Sequence, residues 1–143
     1  MQAKRRRRKR MSKADKGYFE VLEGFPADVV AVAAHGVIDS DDYENTLMPL
    51  VNERIEKEGK VHLYFECGED FEGFTAGAAW DDAKMGLYHL GEFARVAVVT
   101  DKEWIRLATK LFAPLMGAEV RVFHLSERDK AREWLTAYEP VRA

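Results

Sequence analysis

Val61-His62-Leu63-Tyr64-Phe65-Glu66 and Ala94-Arg95-Val96-Ala97-Val98-Val99-Thr100 decide the fold. Each is a short apolar run with little polar alternation, the pattern of a strand buried on both faces. Between them, residues 74–90 carry apolar side chains at helical spacing, with Phe74, Ala78, Met85 and Tyr88 marking one face. Strand, helix and strand in that order form a right-handed crossover with parallel pairing.

The same alternation continues outward. Residues 28–37 read as a buried strand, and residues 18–23, followed by the turn Gly24-Phe25-Pro26, as an outer strand joined to it by a hairpin. Asp39-Ser40-Asp41-Asp42 signals a helix start with Ser40 as cap, and the helix runs to about Glu58 with Tyr43, Leu47, Leu50, Val51 and Ile55 on one face. Pro49 predicts a kink near Asn45, whose carbonyl its ring crowds, and Gly59 ends the helix.

Cys67–Gly73 reads as a short acidic loop. Thr100-Asp101-Lys102-Glu103 reads as a capping box opening a helix whose core face is Trp104, Leu107, Ala108, Leu111 and Leu115. Residues 119–124 form a last strand. Ser126-Glu127-Arg128-Asp129 caps a final helix carrying Ala131, Trp134, Leu135 and Tyr138. The expectation is an α/β fold: a mixed, mostly parallel five-stranded sheet flanked by four helices, with the first strand antiparallel.

The chain has 143 residues, 47% hydrophobic and 33% charged, which suits one soluble domain. No apolar run approaches the roughly 18–20 residues of a membrane span. One cysteine, Cys67, excludes an internal disulfide and any multi-cysteine zinc site, and a cytoplasmic location is expected. The net charge of −3 hides an asymmetry. Residues 1–16 hold 9 of the 22 basic side chains and, in Asp15, 1 of the 25 acids, so the remainder carries 13 basic and 24 acidic groups. Seven consecutive cations, Lys4 to Arg10, repel one another and cannot pack. Residues 1–16 are therefore expected to be a disordered head and residues 17–143 a single domain. No apolar segment follows the cations, so the head is not expected to be a signal peptide. It would touch nucleic acid or an anionic membrane weakly, by counterion release.

Lys60-Val61-His62-Leu63-Tyr64-Phe65-Glu66, Trp80-Asp81-Asp82-Ala83-Lys84 and Phe93-Ala94-Arg95-Val96-Ala97-Val98-Val99, in this order of elements, resemble the SpoIIAA-like family of small bacterial proteins. That family is related in fold to STAS domains and more loosely to CRAL-TRIO lipid-binding domains. The resemblance covers roughly residues 17–139. It implies a regulatory or binding module acting through a protein partner, or alternatively a carrier or sensor of an apolar, lipid-like ligand; a homodimer is compatible with either. Phosphoregulated STAS antagonists carry a D-S-S-G type motif after the third strand. The matching stretch here, from Glu66 to Thr75, has no serine, and a phosphate on Thr75 would add charge to an already acidic segment.

The loop's position at the carboxyl end of an interior strand makes it the expected binding edge. Cys67, Glu69, Asp70, Glu72 and Thr75 are its candidates. Trp80, Asp81 and Asp82 on the next helix join them, with Arg95 as tertiary partner of one of the two acids and Trp104 beside Met85 and Trp80 at an apolar pocket. Each has an ordinary reading: a structural thiol, a solvated acidic loop, a helix–strand ion pair. His35, His62, His89 and His124 show no metal-ligand spacing, and no catalytic triad or phosphate-binding glycine motif is present. No cofactor, metal or catalytic residue is expected.

Overall fold

The computed structural model describes residues 16–89 and 91–137. Expectations for the basic head through residue 15, for Leu90, for Tyr138 and for the side chain of Tyr88 lie outside those residues. Five strands form one sheet: β1 (Tyr18–Val21), β2 (Val29–Ile38), β3 (Val61–Phe74), β4 (Phe93–Thr100) and β5 (Glu119–Phe123). Their spatial order follows the sequence; β1 and β2 are antiparallel and every later pair is parallel.

Alternation along the strands sorts side chains between two layers. On one face Val30, Val32, Ala34, Leu63, Phe65, Cys67, Val96 and Val98 meet the helical elements that follow β2, β3 and β4. On the other face Val29, Ala31, Tyr64, Ala97, Val99 and Phe123 meet Ala131, Trp134 and Leu135 of the final helix, α5 (Arg128–Thr136). Consecutive right-handed crossovers put successive helices on the same side of a sequentially ordered sheet. The last helix returns underneath and closes the second layer.

The first helical run starts as α1 (Ser40–Asp42) and ends as α2 (Met48–Glu58), joined by a π turn over Tyr43–Leu47. The expected disturbance at Pro49 takes this form. The amide of Met48 donates to the carbonyl of Tyr43, and the widened turn relieves the crowding that the proline ring imposes one turn earlier.

Three helix starts differ from expectation. Asp39, not Ser40, caps α1; its side chain accepts from the amide of Asp42, whose carboxylate accepts from the amide of Asp39 in return. At α4 (Glu103–Phe112) the capping position is Lys102, and Thr100 accepts from the Lys102 amide at 3.2 Å instead of closing a box. Before α5 a 3-10 turn, Leu125–Glu127, follows His124, whose amide donates to Glu127, so Ser126 is not a cap.

The largest correction concerns Cys67–Gly73. These residues are not a loop but the second half of β3. Cys67 lies opposite Ala34 and Phe71 opposite Gly36, so Gly68, Glu69 and Asp70 together face His35 as a bulge. Phe71 is buried in the helix-bearing layer beside Phe74, which keeps the acidic stretch on the sheet.

Candidate binding surface

The carboxyl ends of β2 and β3 meet the N-termini of α1 and α3 (Ala76–Tyr88) in a polar cluster. Thr75 caps α3, its hydroxyl accepting from the amide of Ala78 at 3.1 Å. Gly77 lets this turn approach α1, because a Cβ there would stand 3.3 Å from the Cβ of Ser40. Ser40 donates to Asp81 at 2.5 Å and also lies 2.9 Å from Glu44; its single proton goes to the shorter contact. That hydrogen bond is the main reason the Asp81 carboxyl titrates below its ordinary range, with the Lys84 ammonium at 3.3 Å reinforcing it. Asp81 is covered from solvent.

Asp82 behaves in the opposite way. It presents surface to solvent, yet its carboxylate lies close among packed atoms, and that desolvation raises its pKa against the opposing hydrogen bond from Tyr43. The Tyr43 hydroxyl, on a fully buried side chain, donates to Asp82 at 2.9 Å. The Tyr43 ring leads through Phe74 to Phe71 and Trp104, with centroid separations of 6.3, 4.9 and 6.3 Å along the path. An aromatic track therefore runs from the Asp82 carboxylate to α4.

On α4 the expected core face is largely in solvent. Trp104, Leu107, Leu111, Phe112 and, just past the helix, Leu115 are between 53% and 72% exposed. Ile105 is the buried residue of the helix, and Ala108 is half-buried. The apolar arc is wider than the contact the sheet offers, so one flank is buried and the rest is a stripe facing water. Helical periodicity marks an apolar arc but not which part of it a sheet will cover.

The remaining candidates are dispersed. Glu69 and Glu72 are exposed on β3, and Trp80 is exposed on α3 rather than lining a pocket. Cys67 is buried, and burial, with Glu66 and Asp82 nearby, pushes its thiol far above the ordinary value, so it is held as a neutral thiol. Asp70 is tied to His35 at 2.8 Å, and His35 in turn to Glu20 at 2.9 Å. Arg95 does not pair with Asp81 or Asp82. It shares strand parity with Ala97 and Val99 and so points to the layer of α5, where it meets Glu119 at 3.1 Å, the carbonyl of Trp134 at 2.7 Å and the Trp134 ring at 4.8 Å. Sequence reasoning missed Ser40 and Tyr43 as partners of the two acids, and His35 as the junction of three strands; Lys84, at the spacing of three that suits Asp81, pairs with it. Among the described residues no group of three or more His, Cys, Asp or Glu side chains is placed to hold a metal ion. No described helix is long and apolar enough to cross a membrane.

A sequentially ordered sheet with an antiparallel first strand, three helical runs on one face and one on the other defines a STAS-type α/β module. The chain belongs to the SpoIIAA-like family, whose model matches residues 29–136. It is similar to the crystal structure of an uncharacterised protein with a SpoIIAA-like fold from Shewanella loihica PV-4, with a TM-score of 0.65 and 26% sequence identity over 84% of this chain and 94% of that one. A comparison with curated proteins finds no match.

Proposed function

We propose that this chain is a non-catalytic, cytoplasmic binding module that acts in regulation through contact with another polypeptide, and that the stripe on α4 is the contact. The observation that carries this reading is the clustering of five exposed large apolar side chains, four on α4 and Leu115 in the turn that follows it. The acids of the neighbouring strand, Glu69 and Glu72, disfavour a polyanionic partner at that edge. The basic head adds a weak, salt-sensitive attraction to polyanions elsewhere.

The test is affinity capture with quantitative mass spectrometry, comparing the full chain with Leu107→Asp and Leu111→Asp. Both positions are exposed, so circular dichroism and the unfolding midpoint should stay unchanged while capture falls. Equal capture by both variants would remove α4 from the interaction.

A second reading, a carrier of an apolar ligand, is favoured by the aromatic track that ends at Tyr43 and Asp82. An amphiphile would lay its tail against the partly exposed Phe74 and the exposed Trp104 and place a hydrogen-bonding head at the Asp82 carboxylate. Native mass spectrometry of the purified chain distinguishes this reading by a retained small molecule.

A further inference from the structure

The stripe on α4 has the geometry of a seam rather than of a diffuse patch. Trp104, Leu107, Leu111 and Leu115 follow one another at spacings of three, four and four residues, and the half-buried Ala108 lies beside Leu107. Charge is confined to one flank, where Glu103 stands at the N-terminal end of the helix and Lys110 in its last turn.

We propose that α4 is the seam of a two-fold homodimer, packed antiparallel against α4 of a second copy. This rests on the reading of α4 as a protein contact and names its partner. A two-fold axis passing beside Leu107 lays Trp104 of each helix on Leu111 of the other and sets each Leu107 against the small Ala108 of its mate. The same operation brings each Glu103 beside the other copy's Lys110, twice over. A parallel pairing would place this charged flank of each helix on opposite sides of the seam, so that Glu103 and Lys110 would not meet across it, and would align the two helix dipoles unfavourably.

The area suits a weak, concentration-dependent dimer. At about 200 Å² for each large apolar side chain, the exposed fractions of Trp104, Leu107, Leu111 and Leu115 leave about 500 Å² of apolar surface on each copy. Two copies would bury up to about 1,000 Å² before any polar rim is counted, the lower end of specific interfaces. The chain's own head is an unsuitable cover, since residues 1–13 hold only Met1, Ala3 and Met11 as apolar side chains.

Sedimentation velocity of the full chain across a wide concentration range tests the proposal, with four variants. The wild-type chain should pass from monomer to dimer as concentration rises, and Leu107→Glu should remain monomeric. Glu103→Lys and Lys110→Glu should each weaken dimerisation about tenfold, because each turns two attractive pairs into two repulsive ones. The double exchange Glu103→Lys with Lys110→Glu should restore wild-type association, a rescue that a merely structural effect of either charge would not produce. These last variants alter only exposed side chains, so they remain informative if Leu107→Glu does not fold.

A chain that stays monomeric throughout overturns the proposal, as does a dimer indifferent to Leu107→Glu. A monomer that sediments with phosphatidylglycerol vesicles instead overturns it in favour of a lipid surface. If the chain is monomeric while Leu107→Asp still abolishes capture of a different protein, the second copy is wrong and the reading of α4 as a contact survives. If neither association nor capture depends on α4, both fall.

Discussion

Replacing His35 with Gln should remove a clip that holds three strands together only while the ring is protonated. Nε2 of His35 meets Glu20 of β1 at 2.9 Å and Nδ1 meets Asp70 of β3 at 2.8 Å, with the Tyr18 ring stacked 4.8 Å away. Two carboxylates facing both ring nitrogens are satisfied together only by the imidazolium, which donates from each. Partial burial works against that charge, but the hydrogen bonds to Glu20 and Asp70 outweigh it and raise the pKa above the ordinary value. A raised folded-state pKa means that the stabilisation is complete below the unfolded value of about 6.5 and is lost as pH rises through the folded value. Glu20 and Asp70 are 51% and 64% exposed, so water screens both pairs. Two exposed pairs together contribute about 1 kcal/mol. Urea unfolding followed by circular dichroism should show wild type exceeding His35→Gln by about that amount near pH 5.5, with the gap closing towards about pH 8. His62 is buried, and that burial lowers its pKa, so its own contribution runs the other way and is lost as pH falls below the unfolded value. Both chains retain His62, and the difference between them isolates His35. A gap that is flat across this range, or that widens as pH rises, would refute the protonated clip.

Phe71→Ala should cost about 3–5 kcal/mol in urea unfolding, because Phe71 is only 1% exposed. Glu72→Ala next to it, on the solvent side, should stay within about 0.5 kcal/mol, and equal effects at the two positions would return the segment to a loop. Gly17→Ala should strongly weaken the attachment of the chain entering β1, since a Cβ there would collide with the carbonyl of His35; exchange should quicken at the amide of position 17, which donates to the carbonyl of Val37. Cys67 should resist a thiol reagent such as dithiobis-nitrobenzoate until the domain opens, so its labelling rate should follow unfolding across denaturant, and rapid labelling in native buffer would contradict its burial.

The order of strands and helices was legible because buried strands and amphipathic helices leave different periods in the sequence. What escaped reading has identifiable physical causes. In residues 67–74 a bulge breaks the period of two, so Phe71 and Phe74 look unpaired among acids although both return to the core side. For Arg95 the signal was present and unused: it alternates with Val96 and Val98, which face the helices, and so belongs with Ala97 and Val99 on the other layer. The sequence alone presents Asp81 and Asp82 as acids in need of a cation. Only the fold shows that hydroxyls from the first helical run, Ser40 and Tyr43, reach them. The junction at His35 draws on residues 20, 35 and 70, a separation that no local pattern encodes.

The stripe on α4 links local stability to association. An isolated helix as short as Glu103–Phe112 is marginal in water, so α4 persists through the side chains it docks. Of these, Ile105 is buried, while larger apolar groups on the same helix remain in solvent. The helix therefore belongs to the weakly held part of the domain, whereas β2, β3 and β4 lie between two filled layers. Whatever covers Trp104, Leu107 and Leu111 binds the docked helix and not the open one, and so stabilises α4 by mass action in proportion to its own affinity. A partner at this face need not reshape the sheet to have an effect. It acts by holding in place a helix whose apolar side is only half spent on the core.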